Sequence, residues 1–378
     1  MLTTPSIDIF CKVVDNYGDI GVCWRLARQL AARPDCGAVR MWVDDLKSFA
    51  RIAPEVNPGA ESQTLGGITL FKWDTTLCEL PETVAPADIV VEAFACTPPA
   101  VYVERMSVRQ LWLNLEYLSA EAWVESCHRL PSVQPNGLRK FFFFPGFTEA
   151  TGGLLREPEL LARRDAWQAD AQARLDLLAD LGVSEDWLHR LRGGARLVYV
   201  FCYPQAPLPA LLQALSSQQG DTLILMAAGL MPPEAWENFS GAGNVGVHEH
   251  PFVNQARFDQ LLWGSDLIIV RGEDSFVRAI WAGRPMIWQP YLQDEDLHLE
   301  KLSAWLALSP YSADIKRAML AWNQQDGPQF KDALTALLYP ADFARWQTEA
   351  QAMSLQLAQQ QDLATQLLTF CAEQSQTS

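Results

Sequence analysis

The sequence predicts an α/β protein built from two successive doubly wound domains that face a central cleft. Apolar, β-branched runs alternate with helical stretches in the first half of the chain, and the same alternation resumes in the second half. The length of 378 residues suits two ordinary domains rather than one. Ligands of open parallel sheets bind beyond the carboxyl ends of the strands, so the loops after the strands should carry the chemistry.

In the first half, the apolar runs of strand type are short and regularly spaced. They cover residues 7–14, 39–43, 68–72, 89–92, 109–115 and 140–144. Such runs, separated by helical stretches, are typical of a Rossmann-like sheet with helices on both faces. We assign residues 1–155 to this N-terminal domain.

The second half begins with a charged, helical stretch over 157–191 and then repeats the pattern. Its predicted strands are 197–202, 222–226, 245–250, 267–270 and 285–289. We assign residues 156–359 to a second Rossmann-like domain. The tail, 341–373, is amphipathic at helical spacing and could pack on either domain; we assign its last part, 360–378, to the N-terminal one.

Charge and cysteine usage exclude several classes of protein. The chain has 29 Lys and Arg against 45 Asp and Glu, a net charge of −16, and lacks the basic patch that direct nucleic-acid binding needs. The 8 cysteines form no C-x-x-C motif. The sequence shows no leader pattern and no run of 18 apolar residues, so we expect a reduced, cytoplasmic protein without membrane contact.

The loop after the first predicted strand, VVDNYGDIG at 13–21, has the place of a phosphate-binding loop but the wrong charge. The spacing of Gly18 and Gly21 matches neither of the phosphate-binding fingerprints G-x-G-x-x-G and G-K-S/T. Asp15 and Asp19 would repel a diphosphate, so they suit a bound cation or a proton to be removed. The alternative is purely structural, with Asp15 holding the turn and Asp19 capping the helix.

The sequence RGEDS at 271–275 predicts an anion site. A buried strand ends at Arg271, and a helix follows with Asp274 or Ser275 as its N-cap, so free N–H groups lie beside a fixed cation. Glu273 cannot usefully face phosphate and is better placed on sugar hydroxyls. A capped helix with a surface ion pair is the alternative, but the continuation to Tyr291 resembles the nucleotide-sugar-binding half of two-domain glycosyltransferases.

Aromatic residues at two other strand ends could hold a nucleobase. Phe252 can stack on a base and the backbone near Gln255 can read its edge, although a Phe packed at a helix start is equally expected. Phe201 and Tyr203 follow another strand, where they are either ligand contacts or core aromatics. His248 and His250 have no third ligand nearby, so we expect no metal.

Four segments together resemble the EarP family of bacterial protein-arginine rhamnosyltransferases. They are DIFCKVVDNYGDIGVCWRLARQL, LNLEYLSAEAWVE, KFFFFPGFTEATGGLLRE and VRGEDSFVRAIWAGRPMIWQPY, and the resemblance runs over nearly the whole chain. It implies a GT-B fold, dTDP-β-L-rhamnose as donor and translation elongation factor P as acceptor. The product would be an α-rhamnosyl arginine formed with inversion, which activates elongation factor P for ribosomes stalled at consecutive prolines.

The resemblance also implies roles for individual residues. Asp19 would be the general base and Asp15 its partner, with no metal or other cofactor. The residues that would bind the nucleotide sugar are Phe201, Tyr203, Phe252, Gln255, Arg271, Glu273, Asp274, Ser275 and Tyr291. The first domain, residues 1–155, would bind the acceptor. Four residues at its predicted strand ends could line the acceptor side, namely Glu92, Asn114, Glu116 and Tyr117.

Two other functions are compatible with these residues. One is a different sugar-nucleotide enzyme of GT-B type, either another glycosyltransferase or an epimerase. The other is a non-catalytic nucleotide-binding partner of the translation machinery.

Overall fold

The computed structural model describes residues 4–14, 17–74, 84–229 and 243–377. The chain folds into two compact units. The first unit consists of Met1–Glu157 together with Gln360–Ser378, and the second is Pro158–Gln359. The chain therefore enters the second unit once and returns to the first for its last segment.

The described part of the first unit contains an eight-stranded sheet in the order β3-β4-β2-β1-β5-β6-β8-β7. The strands are β1 Ile7–Cys11, β2 Val39–Val43, β3 Ser62–Leu65, β4 Ile68–Lys72, β5 Ile89–Ala93, β6 Leu111–Leu115, β7 Pro131–Val133 and β8 Arg139–Phe143. β3 and β7 are antiparallel edge strands, and the other six pair in parallel. The order of the parallel strands reverses between β1 and β5, where ligands of such sheets bind.

The predicted strand 7–14 is too long, because β1 ends at Cys11. Side chains, rather than a neighbouring strand, accept hydrogen bonds from the backbone N–H groups of Val13 and Val14. The N–H of Val13 donates to Asp44 Oδ1 at 2.9 Å, and that of Val14 donates to Asp19 Oδ2 at 2.8 Å. The chain thus leaves the sheet early and forms the loop that leads to Asp19.

The prediction missed both antiparallel edge strands, β3 and β7. β3 joins β4 through the two-residue turn Gly66-Gly67, whose φ angles are 55° and 82°. Two residues with positive φ are the signature of a tight hairpin, and Gly adopts them without strain.

Five helices of the first unit are described: Gly18–Ala31, Leu46–Ile52, Ala100–Val103, Trp123–Cys127 and Leu363–Thr377. The last of these completes the core, since the Phe370 ring packs 5.3 Å from Phe141 and 6.0 Å from Phe143. The predicted helical tail consists of two helices, Pro340–Leu357 in the second unit and Leu363–Thr377 in the first.

The segment before this last helix is tied closely to the first unit. The N–H of Leu363 donates to the carbonyl of Leu154 at 3.0 Å, and Gln29 Nε2 donates to Asp362 Oδ1 at 2.6 Å. Gly153 has a φ of +72°, and a Cβ there would lie 2.5 Å from the carbonyl oxygen of Gln361. The close approach therefore requires glycine.

The described part of the second unit contains a five-stranded parallel sheet in the order β11-β10-β9-β12-β13. The strands are β9 Arg196–Val200, β10 Thr222–Ala227, β11 Val245–His250, β12 Leu267–Arg271 and β13 Met286–Gln289. The order reverses between β9 and β12. The loops after these two strands contain Phe201, Tyr203 and Glu273, so the predicted anion site lies where a ligand is expected.

Helices cover the sheet of the second unit. The described α-helices are Leu160–Ala169, Ala171–Asp180, Glu185–Arg192, Leu208–Ser216, Gln255–Gly264, Asp274–Ala282, Leu297–Leu308, Ala313–Asn323, Gly327–Leu337 and Pro340–Leu357. None of the helices in the described ranges of the chain is both long and apolar enough to cross a membrane.

Candidate functional site

Arg271, the last residue of β12, lies between two aromatic rings from the loop after β9. Its guanidinium carbon is 4.8 Å from the ring centroid of Phe201 and 4.7 Å from that of Tyr203. Its Nη1 donates to the carbonyl of Cys202 at 3.2 Å. β9 and β12 are neighbours in the sheet, so the three predicted residues meet. The two rings hold the Arg271 guanidinium at a fixed place.

Gln289 joins the loops that follow β9 and β12. The N–H of Tyr203 donates to Gln289 Oε1 at 2.8 Å, and the N–H of Gly272 donates to the carbonyl of Gln289 at 3.0 Å. Gln289 is 2% exposed. Gln289 is not among the predicted site residues, although a polar side chain that closes the apolar strand Met286–Gln289 is a signal that could have identified it.

The helix after β12 begins one or two residues earlier than predicted. Glu273, and not Asp274 or Ser275, occupies the N-cap position. The Ser275 hydroxyl donates instead to the carbonyl of Arg271, the residue four positions before it. Asp274 and Ser275 therefore lie in the first turn, and the start of the helix directly follows the fixed cation.

Glu273 forms an ion pair with Lys301, which is not among the predicted site residues. Lys301 Nζ lies 2.6 Å from Glu273 Oε1, and the two side chains are 18% and 16% exposed. Lys301 belongs to the helix Leu297–Leu308 and is 28 residues away in sequence, so no local pattern connects it with Glu273.

Three predicted residues of the second unit remain, namely Tyr291, Phe252 and Gln255. The Tyr291 ring is 53% exposed and lies 5.8 Å from the Tyr203 ring at an interplanar angle of 84°. Phe252 is half-buried, and the buried Gln255 is the first residue of the helix Gln255–Gly264. This helix packs on the site through Phe258, whose ring is 5.6 Å from that of Phe201.

In the first unit, Asp19 lies in the first turn of the helix Gly18–Ala31 and is 2% exposed. Its carboxylate accepts the N–H of Val14, which precedes the helix. Tyr17 occupies the N-cap position, so the alternative in which Asp19 caps the helix is wrong. Asp15, the second predicted carboxylate, lies outside the described residues.

Two buried thiols lie beside Asp19. Burial raises the pKa of Cys23, and the charge of Asp19 raises it further. A hydrogen bond with Cys23 and burial raise the pKa of Cys11. Both thiols are therefore protonated at neutral pH.

The four residues suggested for the acceptor side range from the fully buried Glu92 to the exposed Tyr117. Glu92 is fully buried within β5, where Lys140 Nζ lies 2.6 Å from its Oε1, and burial raises its pKa. It is therefore enclosed in the fold. Asn114 donates to Glu116, which is half-buried just after β6, and burial raises the pKa of Glu116. Tyr117 is 40% exposed and stacks on Phe94, with ring centroids 4.4 Å apart.

The two histidines of β11 contact backbone carbonyls. His248 Nε2 lies 3.0 Å from the carbonyl of Leu181, and His250 Nδ1 lies 2.7 Å from that of Pro251. Burial lowers the pKa of His250. Within the described ranges, no three His, Cys, Asp or Glu side chains form a group that could hold a metal ion.

A family model described as Elongation-Factor P (EF-P) rhamnosyltransferase EarP matches residues 7–372. The chain belongs to the EarP family. The protein-arginine rhamnosyltransferase of Pseudomonas putida is 48% identical to it over 385 residues, which cover 96% of this chain and 97% of the relative. The enzyme of the same name from Pseudomonas aeruginosa is 44% identical over 387 residues, which cover 97% of this chain and 99% of the relative.

Solved structures agree with this membership. One, described as the structural basis for EarP-mediated arginine glycosylation of translation elongation factor EF-P, matches with a TM-score of 0.66 at 34% identity over 98% of this chain and 99% of the other. Phytolacca americana UGT2, complexed with UDP-2fluoro-glucose and pterostilbene, matches with a TM-score of 0.50 at 11% identity over 100% of both chains. The latter likeness concerns the fold alone. The predicted EarP family and GT-B fold are confirmed.

Proposed function

We propose that this EarP-family chain transfers L-rhamnose from dTDP-β-L-rhamnose to an arginine of translation elongation factor P. Rhamnosyl transfer is the activity by which the family is described. The observation that carries the proposal is the fixed position of Arg271 between Phe201 and Tyr203, beside the start of the helix Asp274–Ala282. A cation next to helix N–H groups suits a diphosphate.

In this proposal, the second unit binds the donor. Arg271, Tyr291 and the first turn of the helix at Asp274 and Ser275 stabilise the charge that develops on the leaving dTDP. Phe252 stacks on the thymine base, and Gln255 lies beside the edge of that base. Glu273 accepts a hydrogen bond from a sugar hydroxyl.

The acceptor poses the harder chemical problem, because the guanidinium of arginine is protonated and hence a poor nucleophile. Its pKa lies far above the pH of the cell, so prior deprotonation costs about 8 kcal/mol. A carboxylate cannot supply this in the ground state. It can hold the guanidinium by two hydrogen bonds and take a proton as the new bond forms, when the acidity of the nitrogen rises.

We assign the proton transfer to Asp19 and the orientation of the guanidinium to Asp15. The arginine nitrogen attacks the anomeric carbon, the bond from that carbon to the dTDP oxygen breaks, and the proton passes to Asp19. The donor is β-linked, so this single displacement gives an α-rhamnosyl arginine. Inversion needs the base and the leaving group on opposite faces of the sugar, and the proposal accordingly takes them from different units.

The test is the intact mass of elongation factor P after incubation with this enzyme and dTDP-β-L-rhamnose. We expect the addition of one deoxyhexose, located on an arginine by peptide mapping, and an α anomeric configuration by NMR. A reaction with UDP-glucose in place of the donor is the control. An unchanged mass, with dTDP-rhamnose shown to bind, would overturn the acceptor assignment.

A further inference from the structure

The ion pair of Glu273 and Lys301 connects the predicted sugar-binding carboxylate with a different part of the chain. Glu273 directly precedes the helix that follows β12, and Lys301 lies in the helix Leu297–Leu308. The Nζ to Oε1 distance is 2.6 Å, and each side chain is less than one-fifth exposed, at 18% for Lys301 and 16% for Glu273. Neither end of the pair is a loose surface charge.

The position of Lys301 is fixed by the packing of its own helix. Trp305, one turn further along the same helix face, is fully buried. Its ring centroid is 4.9 Å from that of Phe276 and 5.6 Å from that of Trp288, with both pairs close to perpendicular. Phe276 belongs to the helix that begins just after Glu273. The two helices that hold Lys301 and Glu273 are thereby packed together.

Stability gives little reason for such a pair. Removing two charges from water costs about as much as their mutual attraction returns, so a buried ion pair is a poor way to stabilise a fold. It does give a carboxylate one charge state and one orientation. A glutamate two residues from Arg271 would also oppose the binding of a diphosphate, and an ammonium on its carboxylate offsets that charge.

We propose that Lys301 is a positioning residue for the donor, acting through Glu273. It holds the Glu273 carboxylate in the orientation in which this group accepts a hydrogen bond from a hydroxyl of the nucleotide sugar. This inference rests on the proposed function, because it takes the donor to be a nucleotide sugar bound next to Arg271.

The test compares Lys301→Met, Lys301→Arg and the control Lys331→Met. Lys331 is 41% exposed and pairs with Asp332, so the control removes an ammonium from the same unit away from the site. For Lys301→Met we expect about a tenfold rise in the KM for dTDP-rhamnose, with kcat and the KM for elongation factor P within about twofold of wild type. Lys301→Arg should restore most of the donor affinity, and Lys331→Met should resemble wild type.

A double-mutant cycle shows whether Lys301 acts through Glu273. In the Glu273→Gln background, Lys301→Met should cause no further loss of donor affinity, because the group that it positions is already altered. Equal losses in both backgrounds would overturn the proposal, and so would an unchanged donor KM in Lys301→Met. Calorimetry of Lys301→Met with dTDP and with dTDP-rhamnose identifies which sugar carries the hydroxyl that Glu273 binds. Weakening of dTDP as well as dTDP-rhamnose assigns the deoxyribose, and weakening of dTDP-rhamnose alone assigns the rhamnose.

The wild-type enzyme separates this inference from the proposed function. If wild type adds no deoxyhexose to elongation factor P, the proposed function fails. If wild type is active and Lys301→Met retains its donor KM, the inference about Lys301 fails.

Discussion

The N–H of Val14 donates to the Asp19 carboxylate at 2.8 Å, so the residue proposed as the base also holds the backbone shortly after β1. Val14 is exposed, whereas Asp19 is 2% exposed. One carboxylate oxygen is thus occupied by the backbone. The structural and chemical roles of Asp19 can be separated by choosing the replacement.

Asp19→Asn keeps an oxygen that can accept the Val14 N–H but removes the basic group. We expect turnover to fall by about 10²- to 10⁴-fold, the usual contribution of a general base, with little change in the affinity for dTDP-rhamnose. Asp19→Ala should additionally lower the free energy of unfolding by about 1–3 kcal/mol, because the N–H loses its acceptor. Single-turnover kinetics and denaturant unfolding measure the two effects. Near-normal turnover of Asp19→Asn would show that Asp19 only holds the loop.

Arg271→Met retains apolar volume between Phe201 and Tyr203 but loses the charge. We expect the affinity for dTDP, measured by calorimetry, to fall by about 30- to 100-fold, which is the loss of about 2–3 kcal/mol in charge-assisted hydrogen bonds. The dTDP affinity of Arg271→Lys should lie between those of wild type and Arg271→Met, because lysine keeps the charge but lacks a planar group that stacks on the rings. Arg345→Met, on an exposed arginine that pairs with Asp314, is the matched control. Wild-type affinity in Arg271→Met would remove Arg271 from the diphosphate site.

Gln289→Met has nearly the same volume but no oxygen for the buried N–H of Tyr203. We expect a loss of about 1–3 kcal/mol in the free energy of unfolding, together with weaker binding of dTDP, since Tyr203 helps to hold Arg271. If stability falls while the dTDP affinity is unchanged, Gln289 supports only the fold.

His128 should make the first unit sensitive to acid. Burial, with the charge of Arg129 beside it, lowers the pKa of His128 to about 4, and its Nδ1 lies 3.0 Å from the N–H of Phe144, which needs an unprotonated acceptor. The unfolded chain binds a proton near pH 6.5 and the folded chain only near pH 4, so stability should fall as the pH drops between these values. Denaturant unfolding of His128→Gln should show a weaker pH dependence over this window. An unchanged slope would exclude His128 as its source.

Gly153→Ala tests the docking of the segment before the last helix. Its Cβ would lie 2.5 Å from the carbonyl oxygen of Gln361, and φ is +72°. Gly137→Ala is the control, because its φ is +83° and nothing lies within 4 Å of the added Cβ. The control should cost about 1–2 kcal/mol for the left-handed backbone, and Gly153→Ala clearly more. Equal thermal midpoints for the two variants would show that the last segment can shift to relieve the contact.

The sequence could predict the parallel strands because both faces of these strands are covered, which produces continuous apolar runs such as Leu267 to Val270. The edge strand β3 alternates in burial and carries polar residues, so only the Gly66-Gly67 turn could have revealed it. Within the candidate site, Arg271 was found because it ends such a strand. Lys301 was not, because its contact with Glu273 depends on the packing of Trp305, which a sequence pattern does not encode.

The return of the chain to its first unit has a consequence for synthesis. Leu154 and Phe141 are made early, but their partners Leu363 and Phe370 emerge about 200 residues later. At about 5–20 residues per second, the ribosome needs roughly 10–40 s to translate the intervening segment, and during this time the early unit lacks part of its core. The first unit therefore receives the last part of its core only after the whole second unit has been translated, and a chain released before that point would expose an incomplete N-terminal unit to proteolysis.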